Sequence, residues 1–485
     1  MNVNMKKVIY SLLFAVALLA GSCSDFTDVK PKGKNLLSTT NELEMLLNNE
    51  FYMRVNDMRH ISGDIIYAFE NVASMISKPN KTLSVILITW DAANQDKMAE
   101  LTSSDSDYAG WYGVIGKIAN PIIALADQAE GPETSKKQLK AEALVLRAYF
   151  HYLLVNKFAK AYNPATAETD PGIPYMKEDW DISIPSEKRT VKEVYENIIA
   201  DLDAAIELNA LPVQAANRMR INKPAAYAAK ALALMSMQQF DEAAATAQQA
   251  LALNNKVSNY NQMLITTTGY ILGGTYPTLL RETLKCEEDY FFTYYLEFFD
   301  AITTEAWNAF EPGHASRDKM ATDRMMYDNL MGMGMSYIGI DYTFTYDLNS
   351  GWNFVGMKST HMYLIIAENE IRKGNYNAAM EALDAIRVNR IDPAVYAPLK
   401  GVVNNKADAL FRLKQTSHGE NIYSIYNFIN RKRWNQLDDY KQKLTKTMLG
   451  KVYELEPDSP LWIFPFPQNA VSNNPNLLPQ NYTQL

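Results

Sequence analysis

The chain has 485 residues, 47% of them hydrophobic and 21% charged. That is the make-up of a folded protein with a sizeable core, too long for one small domain. A net charge of −8 offers no basic footprint for a phosphate backbone, which excludes nucleic acid as a natural partner.

Residues 1–22 read as an export signal. Lys6 and Lys7 form a short positive region, and Val8 to Ala20 is a mostly apolar run too short to span a bilayer. Ala20-Gly21-Ser22 then leads to Cys23. Small residues ahead of a cysteine resemble a bacterial lipobox, where the thiol is acylated and the chain is cut just before it; Ala20 stands where leucine is the better choice. A plain secretory signal is the alternative. The expectation is a chain lipidated at Cys23, with residues 23–40 as tether. No later stretch reaches the roughly 20 apolar residues of a membrane helix, so the chain is expected to be anchored rather than spanning.

The next notable segment is Ile88–Trp111, where Trp90-Asp91 and Asn94-Gln95 precede Asp105, Asp107 and Tyr108. Trp111 sits inside a helical pattern and reads as packing. Asp105-Ser106-Asp107 opens like a calcium loop, but Ala109 at the fifth place and Gly116 at the twelfth break it, leaving a solvated turn. Gly110, Gly113, Gly116 and Lys117 fail the spacing of a phosphate loop, and Ile118 stands where Ser or Thr is needed; this too reads as a packing helix.

Helical periodicity then dominates. Trp111–Gln128 is expected to pair with Gln138–Phe158, and Val191–Asn209 forms a further helix. The clearest unit is 224–253, with Pro224 in a first turn, a bend near Gln238–Asp241, and small residues such as Ala243 and Ala250 set against Tyr227, Leu234 and Phe240. A similar unit spans 361–390, with Gly374 at its turn and Tyr376 opening its second helix. Residues 254–360 carry no helical period and are rich in Tyr, Phe, Trp, Gly and Thr. They include the second polar-flanked aromatic segment, Tyr290–Phe310, with Tyr290, Tyr294, Tyr295, Trp307, Asn308 and Phe310. Because this stretch separates the helical units, they are expected to form a scaffold under an irregular lobe rather than a head-to-tail solenoid. The fold class is mainly α: tetratricopeptide-like helix pairs with a loop-rich, aromatic-rich lobe.

Catalytic patterns are missing. The sequence has no HExxH or GxSxG, and His60, His151, His314, His361 and His418 are scattered without ligand spacing, as expected of surface or hydrogen-bonded histidines. Cys286 precedes Glu287-Glu288-Asp289, whose charge disfavours a thiolate, so a buried or idle thiol is expected. Arg431-Lys432-Arg433-Trp434 reads as a structural helix with paired or solvated cations. No catalytic residue, metal ligand or cofactor is assigned.

The landmarks together resemble the SusD/RagB family of Bacteroidetes outer-membrane lipoproteins. They are CSDFTDVKPKG after the signal, AEALVLRAYFHYLLVNKFAKAYN followed by GIPYM, TVKEVYENIIADLDAAIEL, the Tyr363–Arg390 unit, FINRKRWNQL (428–437) and WIFPFPQNAVSNNPNL (462–477). They occur in the family's order over almost the whole length; the departures lie in 254–345. The resemblance implies a SusD-like helical part over 41–253 and a SusD/RagB part over 254–485 that includes the ligand-facing lobe. It also implies a non-enzymatic protein, lipid-anchored and surface-exposed on the outer membrane. Such a protein binds glycan, or in some members peptide, and caps a SusC-like TonB-dependent transporter as a hinged lid.

Sugar recognition needs flat apolar platforms edged by polar groups. Trp90, Asn94, Tyr290, Tyr294 and Trp307 are the ligand-binding candidates, and the resemblance brings loops from their two segments to one face. Two other classes stay open: a surface glycoside hydrolase, whose carboxylate pair cannot be found from spacing among 55 acids, and a helix-repeat scaffold with no small ligand.

Overall fold

The computed structural model describes residues 37–49, 51, 56–63, 65–67, 72–181, 183–263, 266–271, 274–279, 286–293, 300–323, 342–344, 353–422 and 424–484. Cys23, Tyr294 and Tyr295 lie outside them.

Local chemistry starts each helix. Thr82 accepts from the Val85 N–H and opens α1 (Leu83–Thr89). Asp105 does the same from Tyr108 for α2 (Ser106–Val114), which runs on through a π-turn, Ile115–Ala119, into Asn120–Leu125. The 26-residue α3 (Glu133–Phe158) is buried on every face from Ala141 to Phe158 and partly exposed only in the turns before, so it runs through the core. Thr190 and Glu193 build a reciprocal capping box for α4 (Val191–Glu207). Asn222 caps α5 (Lys223–Ser236), with Pro224 in its first turn, and α6 (Phe240–Leu253) follows a bend in which Gln238 takes φ +63°. Ala228, Ala229, Ala243, Ala247 and Ala250 are buried along this pair, and their small side chains let the helices approach closely. Farther on come α7 (Thr304–Ala309), α8 (Ser359–Arg372), α9 (Tyr376–Arg387), α10 (Lys406–Asn421), α11 (Ile425–Trp434) and α12 (Gln468–Asn473). Gly374, at φ +77°, makes the expected turn between α8 and α9.

The helices stack in sequence order: α2 on α3, then α4, α5, α6, α8, α9 and α10. This corrects the expectation that residues 254–360 keep the helical units from lying head to tail. In space α6 packs directly on α8, antiparallel to it. Asn369 Nδ2 donates to Asp241 at 3.1 Å at one end, and the Tyr363 hydroxyl donates to the Asn255 carbonyl at 3.1 Å at the other. The apolar faces demanded continuity, and the intervening chain is looped out to give it.

That excursion carries β1 (Ile65–Tyr67) into a sheet with β5 (Asp300–Ile302), β7 (Tyr342–Phe344) and β6 (Ala321–Asp323), in the order β1-β5-β7-β6 and antiparallel throughout. Three antiparallel pairs complete the strands: β2 (Thr266–Ile271) with β3 (Gly274–Leu279), β4 (Asp289–Phe291) with β8 (Met357–Lys358), and β9 (Leu444–Met448) with β10 (Lys451–Leu455). No helix among the described residues is long and apolar enough to cross a membrane.

One apolar core draws on residues from Leu43 to Leu477, on both sides of residue 253; a second fills the space between α8, α9, α10 and Trp434. Charges are buried in matched sets. Glu368 of α8 takes Arg433 at both oxygens, Arg372, and the Trp434 indole N–H. Burial works to raise its pKa, but the guanidinium groups of Arg433 and Arg372 outweigh it and hold it at about 2. Lys432 donates to the carbonyls of Asn156 and Ala159, which ties α11 to the end of α3. The basic cluster is therefore structural, as read from the sequence.

One other reading changes. Asp105 and Asp107 are not a solvated turn: both are buried and each binds the Lys157 ammonium at 2.7 Å. Of the two expectations for the five histidines, surface or hydrogen-bonded, the second holds: all are buried, and His151, His314, His361 and His418 are hydrogen-bonded through their rings. His151, for example, accepts the Met176 N–H and stacks on Tyr175 at 3.8 Å, and burial pushes its pKa down to about 3. Cys286 is a buried thiol beside Ser258, and Trp111 is fully buried, both as expected.

Candidate functional site

Pairing of β1 with β5 sets the second aromatic segment against residues 60–63, on which Trp90 of the first segment packs. Residues just before β1 and just after β5 come together, with the Thr303 hydroxyl donating to the Gly63 carbonyl at 3.4 Å. Thr303 also caps α7 through the Ala306 N–H. Arg431 of α11 donates to the Ser62 carbonyl, and the chain entering β9 closes the remaining side. Between them lies a cavity of about 170 Å³, bordered by Gly63, Trp90, Glu305, Arg431, Gln442 and Lys443. One carboxylate oxygen of Glu305, Oε2, is buried at this cavity and accepts no hydrogen bond among the described residues.

The predicted residues fare differently here. Trp90 is 5% exposed. It closes α1 in the left-handed region at φ +52°, donates its indole N–H to the His60 carbonyl at 3.1 Å, and carries the Lys446 ammonium 3.7 Å from its ring centroid. Gly63, at φ +84°, is pressed against the same indole so closely that a Cβ would collide with it. The ring is thus covered, and Trp90 is a wall of the site rather than an open sugar platform. Tyr290 is fully buried with its hydroxyl on the Asn254 carbonyl, so it packs as well. Polar neighbours in sequence had made both look open, but their partners come from distant segments.

Trp307 is half-buried on α7, and the Arg317 guanidinium lies 5.1 Å from its ring centroid. Asn94 is half-buried, and its amide is held by Asp91 at 2.8 Å. Phe310 is buried against His314 and His418. The structure thus brings Trp90, Thr303, Glu305, Ala306 and Ala309 to one cavity, while Asn94, Tyr290 and Trp307 do not line it. Sequence reasoning missed Glu305, Arg431 and Gln442. Glu305 was legible as a carboxylate inside a flagged aromatic segment; the other two reach the cavity only through tertiary packing.

Residues 25–233 match the SusD-like family described as "Starch-binding associating with outer membrane". Among solved structures, a putative sugar binding protein from Bacteroides vulgatus shares 18% identity at a TM-score of 0.63, over 91% of this chain and 98% of its own. A SusD superfamily protein from the same species gives 15% identity and 0.65, over 90% and 97%. Surface glycan-binding protein A from Bacteroides uniformis gives 14% and 0.59, over 91% and 99%. No curated protein sequence matches the chain. The chain is thus SusD-like: in sequence over residues 25–233, and in fold over nine tenths of its length.

Proposed function

We propose that this protein is a cell-surface lipoprotein, acylated at Cys23, that captures oligo- or polysaccharide and delivers it to a SusC-like TonB-dependent transporter as a hinged lid. The reading is supported by the family's description and by relatives described as sugar- or glycan-binding. The observation that carries the site is the unpartnered Glu305 oxygen at the cavity where two aromatic segments meet, on the short helix that also carries the half-buried Trp307. A buried acceptor without a donor is costly unless something supplies one, and a sugar hydroxyl does. Trp307 would give the pyranose its apolar face, with Glu305 and Gln442 at its edge. Asn94 is kept as a flanking contact. Lid closure requires tighter binding in the closed state, because a ligand held equally in both states would move nothing. The protein acts without catalysis or cofactor in this reading, and the parts before and after residue 253 contribute scaffold and ligand-facing lobe.

Purified protein is run through native gels containing a polysaccharide panel, with the same mixtures assayed for released sugar. Retardation without release, weakened at least tenfold by Trp307→Ala and Glu305→Gln, is the expected result. Released sugar would make it a hydrolase. Binding confined to a peptide panel would move it to the peptide-binding members. Unchanged membrane retention in Cys23→Ala would overturn the anchor.

A further inference from the structure

A second and larger cleft, of about 570 Å³, lies elsewhere on the molecule, between α2 with its continuation, the loop 174–186, and α12. Its size falls within the range of about 300–1,000 Å³ usual for small-molecule sites. We propose that it is a separate carbohydrate site, for a short run of neutral sugar units, built on Trp180, Tyr108 and the amides of Asn469 and Asn473.

The cleft is preformed. Its loop is pinned at the root, where the Tyr112 hydroxyl donates to the Pro174 carbonyl at 2.8 Å and the Met176 N–H donates to His151 Nε2 at 2.9 Å. Asn474 Nδ2 reaches the Ser186 carbonyl at 2.9 Å and ties the far end of the loop to the C-terminal segment. These contacts hold the walls in place and leave other groups over. Trp180 is half-buried in the lining, its indole N–H donates to no protein group, and no ring or cation covers its face among the described residues. The Tyr108 ring is fixed edge-on to Phe158 at 5.5 Å, but its hydroxyl has no protein partner. The Asn469 amide is exposed and unbonded, and Asn473 uses only its Nδ2, on the Asn469 carbonyl. On the floor, Gly116 and Ala124 leave open space.

A flat aromatic face beside groups that both donate and accept is what a pyranose needs, with C–H bonds on one side and hydroxyls on the rim. The charges nearby are already balanced. Asp105 is held by Lys157, and Glu178 by Arg147, with Lys177 beside it, which favours a neutral ligand. A peptide is disfavoured because the walls are helices and a loop, with no strand edge to pair an extended backbone.

The inference stands on the same glycan-binding reading but at different residues, so one experiment separates the two. Calorimetric titration of purified full-length protein in detergent uses maltohexaose, cellohexaose, xylohexaose and mannohexaose, with a decaproline peptide for comparison. The expected result is sugar binding weakened at least tenfold by Trp180→Ala and by the cleft-filling Ala124→Trp, and retained at this site in Trp307→Ala. Both substitutions are at solvent-facing positions, and unchanged thermal midpoints confirm folding. Binding lost in Trp307→Ala but untouched by Trp180→Ala and Ala124→Trp overturns the cleft and leaves the first site standing. The reverse pattern removes the first site and keeps the cleft. Decaproline alone held in the cleft overturns it, and binding of no sugar at all overturns both.

Discussion

The helical scaffold and the strand-rich lobe place their buried charges differently. In the scaffold, charges are buried in closed sets: Glu368 with Arg372, Arg433 and Trp434, and Lys157 with Asp105 and Asp107. At the lobe's junction with the scaffold, one Glu305 oxygen is buried short of a partner and Trp307 is only half-buried. A closed set fixes geometry and leaves nothing to offer a ligand, whereas an open group is a standing demand for one. Burial alone therefore does not separate structural residues from functional ones in this molecule, and neither does one unpartnered atom: Asp107 Oδ1 and Arg372 Nε are also buried without a hydrogen-bond partner among the described residues, but Glu305 Oε2 lies at a cavity.

If that contrast holds, the largest losses of stability come from breaking closed sets. Glu368→Ala leaves two guanidinium groups without their carboxylate and should cost about 3–5 kcal/mol in urea unfolding. Trp90→Ala should cost a similar amount, about 3–5 kcal/mol, because it empties a packed position. Any loss of sugar binding in that variant should come with a lower thermal midpoint.

Next in size is a pH effect. Burial raises the Asp107 carboxyl to about 7, an effect the Lys157 ammonium offsets only in part, since that one cation faces two carboxylates, with Asp57 nearby. The folded state then binds more protons than the unfolded chain between about pH 4 and pH 7, so this group's contribution to stability falls as pH rises through that window. Asp107→Asn should flatten the slope, by about 1–2 kcal/mol across the window, read from melting curves at stepped pH. Glu368 runs the other way: its stabilisation is present above its unfolded value near 4.5 and is lost as pH falls toward 2.

Smaller still, Gly63→Ala forces a Cβ into the Trp90 indole at a positive φ and should cost about 1–2 kcal/mol. Trp307→Ala should change stability by less than about 1 kcal/mol while lowering sugar affinity at least tenfold. A Trp307→Ala variant as unstable as Trp90→Ala would erase the distinction between the two regions.

The same contrast explains what could be read in advance. Helix spacing, Pro224, the Gln238 bend and the Gly374–Tyr376 turn were legible because a helix repeats its buried face every three or four residues and marks its ends with local chemistry. Trp307 and the Tyr290–Phe310 segment could be flagged from residue type. Whether a ring is open could not, because Trp90 is covered by Lys446, more than 350 residues away in sequence, and Tyr290 by the Asn254 carbonyl. Asp105 and Asp107 were misplaced for the same reason: the cation that buries them stands 50 residues on, in another helix. Trp180 had no periodic or motif context to mark it at all.

The antiparallel seam between α6 and α8 has one more consequence. The chain leaves the stack at Asn254–Lys256 and returns at Ser359–Tyr363, and the two stems touch, with the Ser359 hydroxyl donating to the Lys256 carbonyl at 2.6 Å. What lies between leaves and rejoins the stack at one place, although it also packs on the rest of the molecule, as where β5 pairs with β1. The entropy of closing such a loop grows only slowly, by about 0.6 kcal/mol for each doubling of length. This segment can therefore be lengthened, shortened or rewritten at small entropic cost while the helix stack beneath keeps its continuity.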